Sequence, residues 1–303
     1  HVQLFLGSGT LANDVIAGQI SLLGERGVVL NNGEFGSRLV DHARRFRLEF
    51  ETVEAAWGKP IPLTEVRKAL ERSPKPGWLW CTHCETSTSV LNDLDQLKAL
   101  CAEFETRLCL DCISTIGTMP LDLTGVYLAS GSSGKGLRSY PGISMVFHHH
   151  DVAPEPERLP RYLDLGYYAR QQGVPFTFSS NLLHALHAAT KHVDWEKRFR
   201  DIVDLSAFLR QRLIELGFQL VGSDAVTSPA VVTIAVPPDG SSTQMAKSLQ
   251  EAGYLISYNS EYLQKRNWVQ ICLMGECTRE KVVSLLNAIQ RVVRRHGLQP
   301  APA

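Results

Sequence analysis

The chain has 303 residues, 44% of them hydrophobic and 20% charged, which is enough to bury one large core or two of ordinary size. Lysine plus arginine equals aspartate plus glutamate, at 31 each, and this balance argues against a nucleic-acid-binding surface. Apolar runs are short and interrupted, so no membrane span is expected. Seven cysteines in a chain of this length are fewer than a secreted, disulfide-stabilised protein would carry. We therefore expect the protein in the reducing cytoplasm.

The N-terminal stretch HVQLFLGSGT begins inside a predicted strand and contains neither a start methionine nor a signal peptide. We therefore expect a further segment of the full protein to precede this sequence.

Short apolar strands alternate with amphipathic helices through the first half of the chain. This alternation predicts right-handed crossover units, a mostly parallel sheet and an α/β fold, with both faces of the sheet covered by helices. Strands are predicted at residues 2–6, 28–32, 47–55, 77–83, 108–114, 126–130 and 143–149, and helices at 10–27, 36–46, 62–73 and 94–107.

The composition becomes polar and proline-rich in HHHDVAPEPERLPR, at residues 148–161, which indicates a boundary or an excursion. Beyond it the pattern predicts a smaller α+β domain. Its elements are a long helix at about 195–216, strands at 231–236 and 267–274, and helices at 243–253 and 278–297. The predicted organisation is a large domain at 1–165, a connecting segment at 166–195 and a small domain at 196–303.

Three motifs follow predicted strands, where ligands bind in open parallel sheets. GSGT, residues 7–10, opens a helix, and the free N–H groups there form an anion site, although such turns are also common without a ligand. Asp111 ends an apolar run, so its carboxylate needs a cation or a hydrogen-bond donor. The local backbone could also supply that donor.

Lys135 lies among glycines and serines in SGKGLRSYPG, where desolvation would lower its pKa and make it a nucleophilic amine. This order of groups is what pyridoxal 5'-phosphate requires, namely an anion cradle, a ring-nitrogen partner and a Schiff-base amine.

The motifs GSGTLA, NNGEFGSR, THCETSTSVLN, LDCISTIGTMPLDL and SGKGLRSYPG occur in the order found in class V aminotransferases of fold type I. The sequence resembles the branch of alanine–glyoxylate, serine–pyruvate and 2-aminoethylphosphonate transaminases over nearly its whole length. The resemblance implies a large domain with a mostly parallel sheet and a smaller α+β C-terminal domain. It also implies a homodimer with shared active sites.

The resemblance assigns roles to individual residues of this chain. Lys135 would be the Schiff-base lysine and Asp111 the partner of the pyridinium nitrogen, and these two are the predicted catalytic residues. The remaining predicted cofactor contacts are Ser8, Gly9 and Thr10 at the phosphate, Phe35 stacked on the ring, Thr86 near the phenolic oxygen, Ile113 beside Asp111, and Thr177 at the phosphate of the neighbouring subunit.

Three residues depart from the family pattern. Gly134 precedes the lysine, where the family has a polar side chain such as glutamine. Ser89 replaces a glycine, and Gln270 replaces the arginine that grips the substrate carboxylate. Either the substrate lacks an α-carboxylate or another cation compensates, with Arg266 and then Arg138 as the nearest candidates. We therefore expect weak activity with alanine and serine and better activity with an amine such as an aminophosphonate.

Two cysteine pairs, Cys81–Cys84 and Cys109–Cys112, suggest an alternative zinc or redox module. Residues 85–108 separate the pairs, and this gap of 24 residues exceeds the usual ribbon spacing of about 15–20. Alternate strand residues would also point to opposite faces, so we interpret these cysteines as buried small hydrophobes and predict no metal site.

The predicted function is a pyridoxal-phosphate-dependent aminotransferase that moves an amino group between a primary amine or amino acid and a 2-oxo acid. A lyase, decarboxylase or desulfurase-type reaction on the same cofactor remains open, as does a domain that only senses the cofactor. The expected partners are these small molecules and a second copy of the chain, with no nucleic acid and no membrane.

Overall fold

The computed structural model describes residues 1–222 and 226–296, the last of these by its backbone alone. The chain divides into two compact units. The first contains residues 1–85 and 91–193, and the second contains residues 86–90 together with the chain from residue 194 onward.

The first unit contains a seven-stranded sheet with the order β1-β9-β8-β7-β4-β2-β3. Strand β9 runs antiparallel to both of its neighbours, and all other pairings are parallel, which confirms the mostly parallel sheet. The strands are β1 (Val2–Leu6), β2 (Gly27–Asn31), β3 (Phe50–Glu54), β4 (Trp78–Thr82), β7 (Arg107–Asp111), β8 (Leu128–Ser132) and β9 (Ile143–His148). Short strands β5 (Cys84–Glu85) and β6 (Val90–Leu91) flank residues 86–89.

Helices cover both faces of this sheet, as the continuous apolar strands predict. On one face Trp78 and Trp80 pack with the helices at Gly9–Leu23 and Glu34–Arg45, while on the other Leu79 and Cys81 pack with the helices at Leu63–Leu70 and Leu94–Glu103. Because side chains alternate along a strand, every second residue of β4 faces the same layer. The helices are α1 (Gly9–Leu23), α2 (Glu34–Arg45), α3 (Leu63–Leu70), α4 (Leu94–Glu103), α5 (Leu165–Arg170) and α6 (Ser180–Thr190).

The second unit has a three-stranded antiparallel sheet of β10 (Gln219–Leu220), β11 (Val231–Ala235) and β12 (Trp268–Cys272). Its core is formed by this sheet with α7 (Trp195–Glu215), α8 (Ser242–Glu251) and α10 (Arg279–His296). Helix α9 (Glu261–Arg266) precedes β12. The predicted smaller α+β architecture is therefore confirmed.

Some predicted boundaries were wrong. Helix α1 ends at Leu23 and not at Gly27, because Gly24 adopts a left-handed conformation with φ of 65° and ends the helix. Strand β7 ends at Asp111, and β8 extends to Ser132. Helices α5, α6 and α9 were not predicted from the sequence, and the predicted end of the last helix at Gly297 lies outside the described residues. Among the described helices, none is long and apolar enough to cross a membrane.

Candidate active site

Three loops meet at the edge of the large sheet where β1, β7 and β8 end. These strands run in the same direction, so their carboxyl ends lie at one edge. The Gly7 N–H donates to the Gly142 carbonyl at 2.9 Å and joins the first loop to the lysine loop. A Cβ on Gly9 would lie 2.5 Å from Ile113 Cδ1, so the first loop also packs against the turn after Asp111.

Lys135 stands between two glycines because both flanks of the lysine loop pack against backbone. A Cβ on Gly134 would lie 2.9 Å from Pro141 Cα, and a Cβ on Gly136 would lie 2.3 Å from the Ile116 carbonyl oxygen. Contacts below 3.0 Å force a shift in structure, so neither position has room for a side chain. The glycine before the lysine, which departs from the family pattern, is therefore required by the close turn at Pro141.

Ser133 closes the base of the lysine loop. Its hydroxyl donates to the Tyr140 carbonyl at 2.7 Å and accepts from the Ile143 N–H at 3.2 Å. Its N–H donates to the Ile143 carbonyl at 2.9 Å. The fully buried serine thereby holds the two ends of the loop together.

The side chain of Lys135 is exposed. The sequence led us to expect a desolvated lysine, and the structure differs because the glycines beside it have no side chains to cover it. The amine is therefore open to a small molecule that approaches this edge of the sheet.

Asp111 is a buried carboxylate at the end of β7. Its Oδ2 accepts from Asn13 Nδ2 at 2.9 Å, and its Oδ1 accepts from the Ile113 N–H at 3.0 Å. Burial raises the pKa of Asp111, while these two hydrogen bonds and the nearby His42 and Lys135 act in the opposite direction. The local backbone donor anticipated from the sequence is present, and Asn13 adds a second donor from helix α1.

The N-terminus of α1 provides the third part of the site. Ser8 is the N-cap residue, yet its hydroxyl does not bond to the first turn, and this turn contains no acidic residue. Ser8 and Thr10 are exposed. N–H groups at the start of a helix favour an anion such as phosphate.

The residues present fit pyridoxal phosphate. The first turn of α1 carries no acidic residue and no side-chain cap from Ser8, Asp111 is a carboxylate held from two sides, and Lys135 is an accessible amine. These groups supply the anion cradle, the counter-charge and the amine that this cofactor requires.

His83 follows β4 at the same edge of the sheet. Its ring Nδ1 lies 3.1 Å from Thr115 Oγ1, and its side chain is buried. Burial lowers the pKa of His83 to about 4, with a smaller opposing effect from Asp95. The ring is therefore neutral at pH 7.

Phe35 lies at the start of helix α2, whose first turn is anchored by a buried carboxylate. Glu85 accepts from the Phe35 N–H at 3.3 Å and from the Gly36 N–H at 2.8 Å. The Arg38 guanidinium lies 4.9 Å from the centre of the Phe35 ring and covers one of its faces. Glu85 therefore fixes the backbone that carries the ring predicted to stack on the cofactor.

Thr177 is exposed on the segment before α6. No described contact joins it to Lys135 or Asp111 in this chain, and its role toward a neighbouring subunit stays a prediction. Thr86 is buried in the second unit, where its carbonyl accepts from Gln270 Nε2 at 2.7 Å.

Gln270 and Arg266, the predicted substrate-binding residues, lie in the second unit. Gln270 is 3% exposed, and its amide bonds to backbone carbonyls and hydroxyl groups of the protein. The guanidinium of Arg266 lies 5.6 Å from the centre of the Trp268 ring. Arg138, the second candidate cation, is exposed with φ of 58° in the lysine loop.

The cysteine pairs do not converge. Cys109 packs in the core on one face of the sheet, whereas Cys81 and Cys112 pack on the other. Burial raises the pKa of Cys101 to about 12 and that of Cys109 even further, so these thiols stay protonated. Among the described residues, no group of three or more His, Cys, Asp or Glu side chains is placed to hold a metal ion.

Three residues that support the candidate site were not predicted from the sequence, namely Asn13, Ser133 and Glu85. Asn13 could have been recognised as a polar residue one turn after the GSGT loop, on an otherwise apolar face of the helix. The hydrogen bonds of Ser133 and Glu85 join positions that lie 7 to 50 residues apart, and no local pattern reveals them.

We predict that Gly136→Ala destabilises the fold by about 1–3 kcal/mol, because the new Cβ collides with the Ile116 carbonyl. The matched control is Gly275→Ala, where a Cβ meets no described atom within 4 Å. Urea unfolding of both variants measures the difference. Equal stability of the two variants would show that the lysine loop tolerates a side chain at Gly136.

The low pKa of His83 predicts a loss of stability in acid. Because the folded-state pKa lies below the unfolded value of about 6.5, the stabilisation is complete above pH 6.5 and is lost as the pH falls through about 4. The total loss is up to about 3 kcal/mol. We expect His83→Gln, which can keep the bond to Thr115 but does not titrate, to reduce this loss between pH 6.5 and 4 in urea unfolding. Identical pH profiles for the variant and the wild type would contradict the assignment.

No protein-family model matches the chain. The chain is 30% identical over 319 aligned positions to the small subunit of the soluble hydrogenase of Synechococcus sp. PCC 6716, an alignment that covers 98% of this chain and 81% of that one. It is 26% identical to the 2-aminoethylphosphonate–pyruvate transaminase of Paraburkholderia phymatum, with 97% and 82% covered. Across eight curated relatives, the chain spans between 64% and 83% of the relative's own length.

A solved structure shares the fold. The crystal structure of alanine–glyoxylate aminotransferase from Nostoc sp. superimposes with a TM-score of 0.86 at 27% identity. The superposition covers 97% of this chain and 81% of that one.

Proposed function

The chain belongs to the class V aminotransferase family of fold type I, whose cofactor is pyridoxal 5'-phosphate. We propose that it transfers an amino group from a substrate amine to a 2-oxo acid, at a site that contains Lys135. The observation that carries this proposal is the convergence of an accessible lysine, a doubly held buried carboxylate and a free helix N-terminus at one sheet edge. When bound, the cofactor supplies the electron sink for the transfer.

Lys135 would hold the cofactor covalently, and its amine would serve as the general base that moves the substrate proton. A positioned base of this kind contributes roughly 10²–10⁴-fold to the rate. Asp111 would hold positive charge at the ring nitrogen. Burial raises the pKa of Asp111, and the hydrogen bonds from Asn13 and Ile113, which favour its ionised form, partly offset that rise. Ser8, Gly9 and Thr10 bind the phosphate.

The substrate we propose is an amine recognised without the usual arginine, such as an aminophosphonate, with a 2-oxo acid as acceptor. Two observations support this choice. The amide of Gln270 is engaged with protein groups, and six of the eight relatives carry the name of a 2-aminoethylphosphonate–pyruvate transaminase. A neutral amide also lacks the charge that makes an arginine–carboxylate pair strong.

We also propose a cytoplasmic homodimer. Seven free cysteines fit a reducing compartment. Helix α6 supports the dimer, since none of its eleven residues is buried although it carries Leu182, Leu183 and Leu186. A second copy of this chain would cover these side chains and bring Thr177 to the partner's phosphate.

Borohydride reduction of the cofactor-loaded protein tests the function. We expect mass spectrometry to find the reduced cofactor on Lys135, and Lys135→Ala to lose this label while Lys247→Ala keeps it. Mixing the loaded protein with alanine, serine or 2-aminoethylphosphonate should then change its absorbance, fastest with the aminophosphonate. A label on another lysine refutes the assignment. A colourless protein that contains a redox metal would instead agree with the hydrogenase name of the Synechococcus relative.

Light scattering tests the dimer. We expect wild type to have twice the chain mass and Leu186→Asp to have the mass of one chain, because a buried charge at the interface is costly. The control Leu255→Asp changes a leucine that is 84% exposed, and it should leave the dimer intact. A fully active monomeric wild type would refute the proposal.

A further inference from the structure

Four polar side chains of the second unit form one buried hydrogen-bonded cluster. Thr233 on β11 lies at its centre, with its Oγ1 2.9 Å from Ser89 Oγ and 2.8 Å from Gln270 Nε2. Tyr262 on α9 completes the cluster, because its hydroxyl donates to Gln270 Oε1 at 3.0 Å. We call Ser89, Thr233, Gln270 and Tyr262 the Thr233 cluster.

The amide of Gln270 has no donor left over. Its two N–H groups face the Thr86 carbonyl at 2.7 Å, Thr233 Oγ1 at 2.8 Å and the Ser87 carbonyl at 3.2 Å. An amide nitrogen carries two protons, so these three acceptors already exceed its capacity. A carboxylate could be bound by Gln270 only if one of these buried bonds were broken.

Ser89 adopts a conformation that favours glycine. Its φ is 66°, its side chain is fully buried, and its carbonyl accepts from the Ser228 N–H at 2.7 Å. Glycine would adopt this φ without strain. Serine accepts the strain and gains the bond to Thr233, which glycine could not make.

Two departures from the family pattern, Ser89 and Gln270, thus contact the same hydroxyl. We propose that Thr233 is a positioning residue that couples Ser89 to Gln270, fixes the backbone of segment 86–90, and closes the position of Gln270 to a substrate carboxylate. The substrate consequence rests on the proposed function, while the coupling itself does not. The two departures then constitute a single change in specificity, which neither residue would produce alone.

Thermal unfolding of the cofactor-free protein tests the coupling. Thr233→Val leaves Ser89 and Gln270 without their shared partner, so we expect the Tm to fall. The fall should be roughly 2–4 °C for each kcal/mol by which the free energy of unfolding decreases. If the hydroxyls are coupled, Ser89→Ala added to Thr233→Val lowers the Tm no further. Thr82→Val is the matched control, because the buried Thr82 hydroxyl has no described hydrogen-bond partner, and we expect its Tm not to fall. Additive losses in the double variant would overturn the coupling.

Kinetics of the loaded enzyme test the closure. We expect Gln270→Arg to lower the KM for alanine. The fold-decrease in KM should be at least ten times larger when Ser89→Gly is also present than when Ser89 is native, and kcat should change less than KM. The reason is that the arginine can turn toward a carboxylate only when the Ser89–Thr233 bond is absent. The same gain in both backgrounds, or no gain in either, would overturn the closure. If wild type fails the Lys135 labelling, the proposed function fails, whereas the Tm comparison still decides whether the cluster is coupled.

Discussion

The close approach of two backbone segments underlies the geometry of the candidate site. Gly136 leaves no side chain between the lysine loop and the turn that follows Asp111, and a Cβ there would lie 2.3 Å from a carbonyl oxygen. Because the two segments touch through backbone, the spacing of Lys135 from Asp111 depends on rigid groups more than on rotatable side chains. Such pre-organisation is the condition for efficient proton transfer and for holding a cofactor in one orientation.

A buried carboxylate is unfavourable unless other groups compensate for lost water. At Asp111 the compensation comes from Asn13 on helix α1 and from the Ile113 N–H in the adjacent turn. The helix whose N-terminus we propose as the phosphate site therefore also holds the carboxylate, through a residue one turn further along. In that proposal, one rigid element supports two of the three groups that the cofactor needs.

Much of the first unit could be predicted from the sequence, because its signals are local. Runs such as WLWC are apolar at every position, which indicates a strand covered on both faces, and Asp111 at the end of one such strand marks the edge where the candidate site lies. The roles of Asn13 and Glu85 depend on hydrogen bonds across 98 and about 50 residues, and periodicity carries no such information. The exposure of Lys135 was also wrongly predicted, since flanking glycines indicate close backbone packing and not burial of the side chain between them.

The resemblance to a family was most informative where the chain departs from it. Gly134, Ser89 and Gln270 look like three unrelated substitutions in the sequence, yet each has a specific physical reason in the structure. Gly134 avoids the backbone at Pro141, while Ser89 and Gln270 share the hydroxyl of Thr233. A serine held at φ of 66° costs about 1–2 kcal/mol, so a compensating interaction is required for it to persist. Because that interaction runs through Thr233, which also accepts from Gln270, the backbone strain at Ser89 and the hydrogen bonding of Gln270 are linked in this unit.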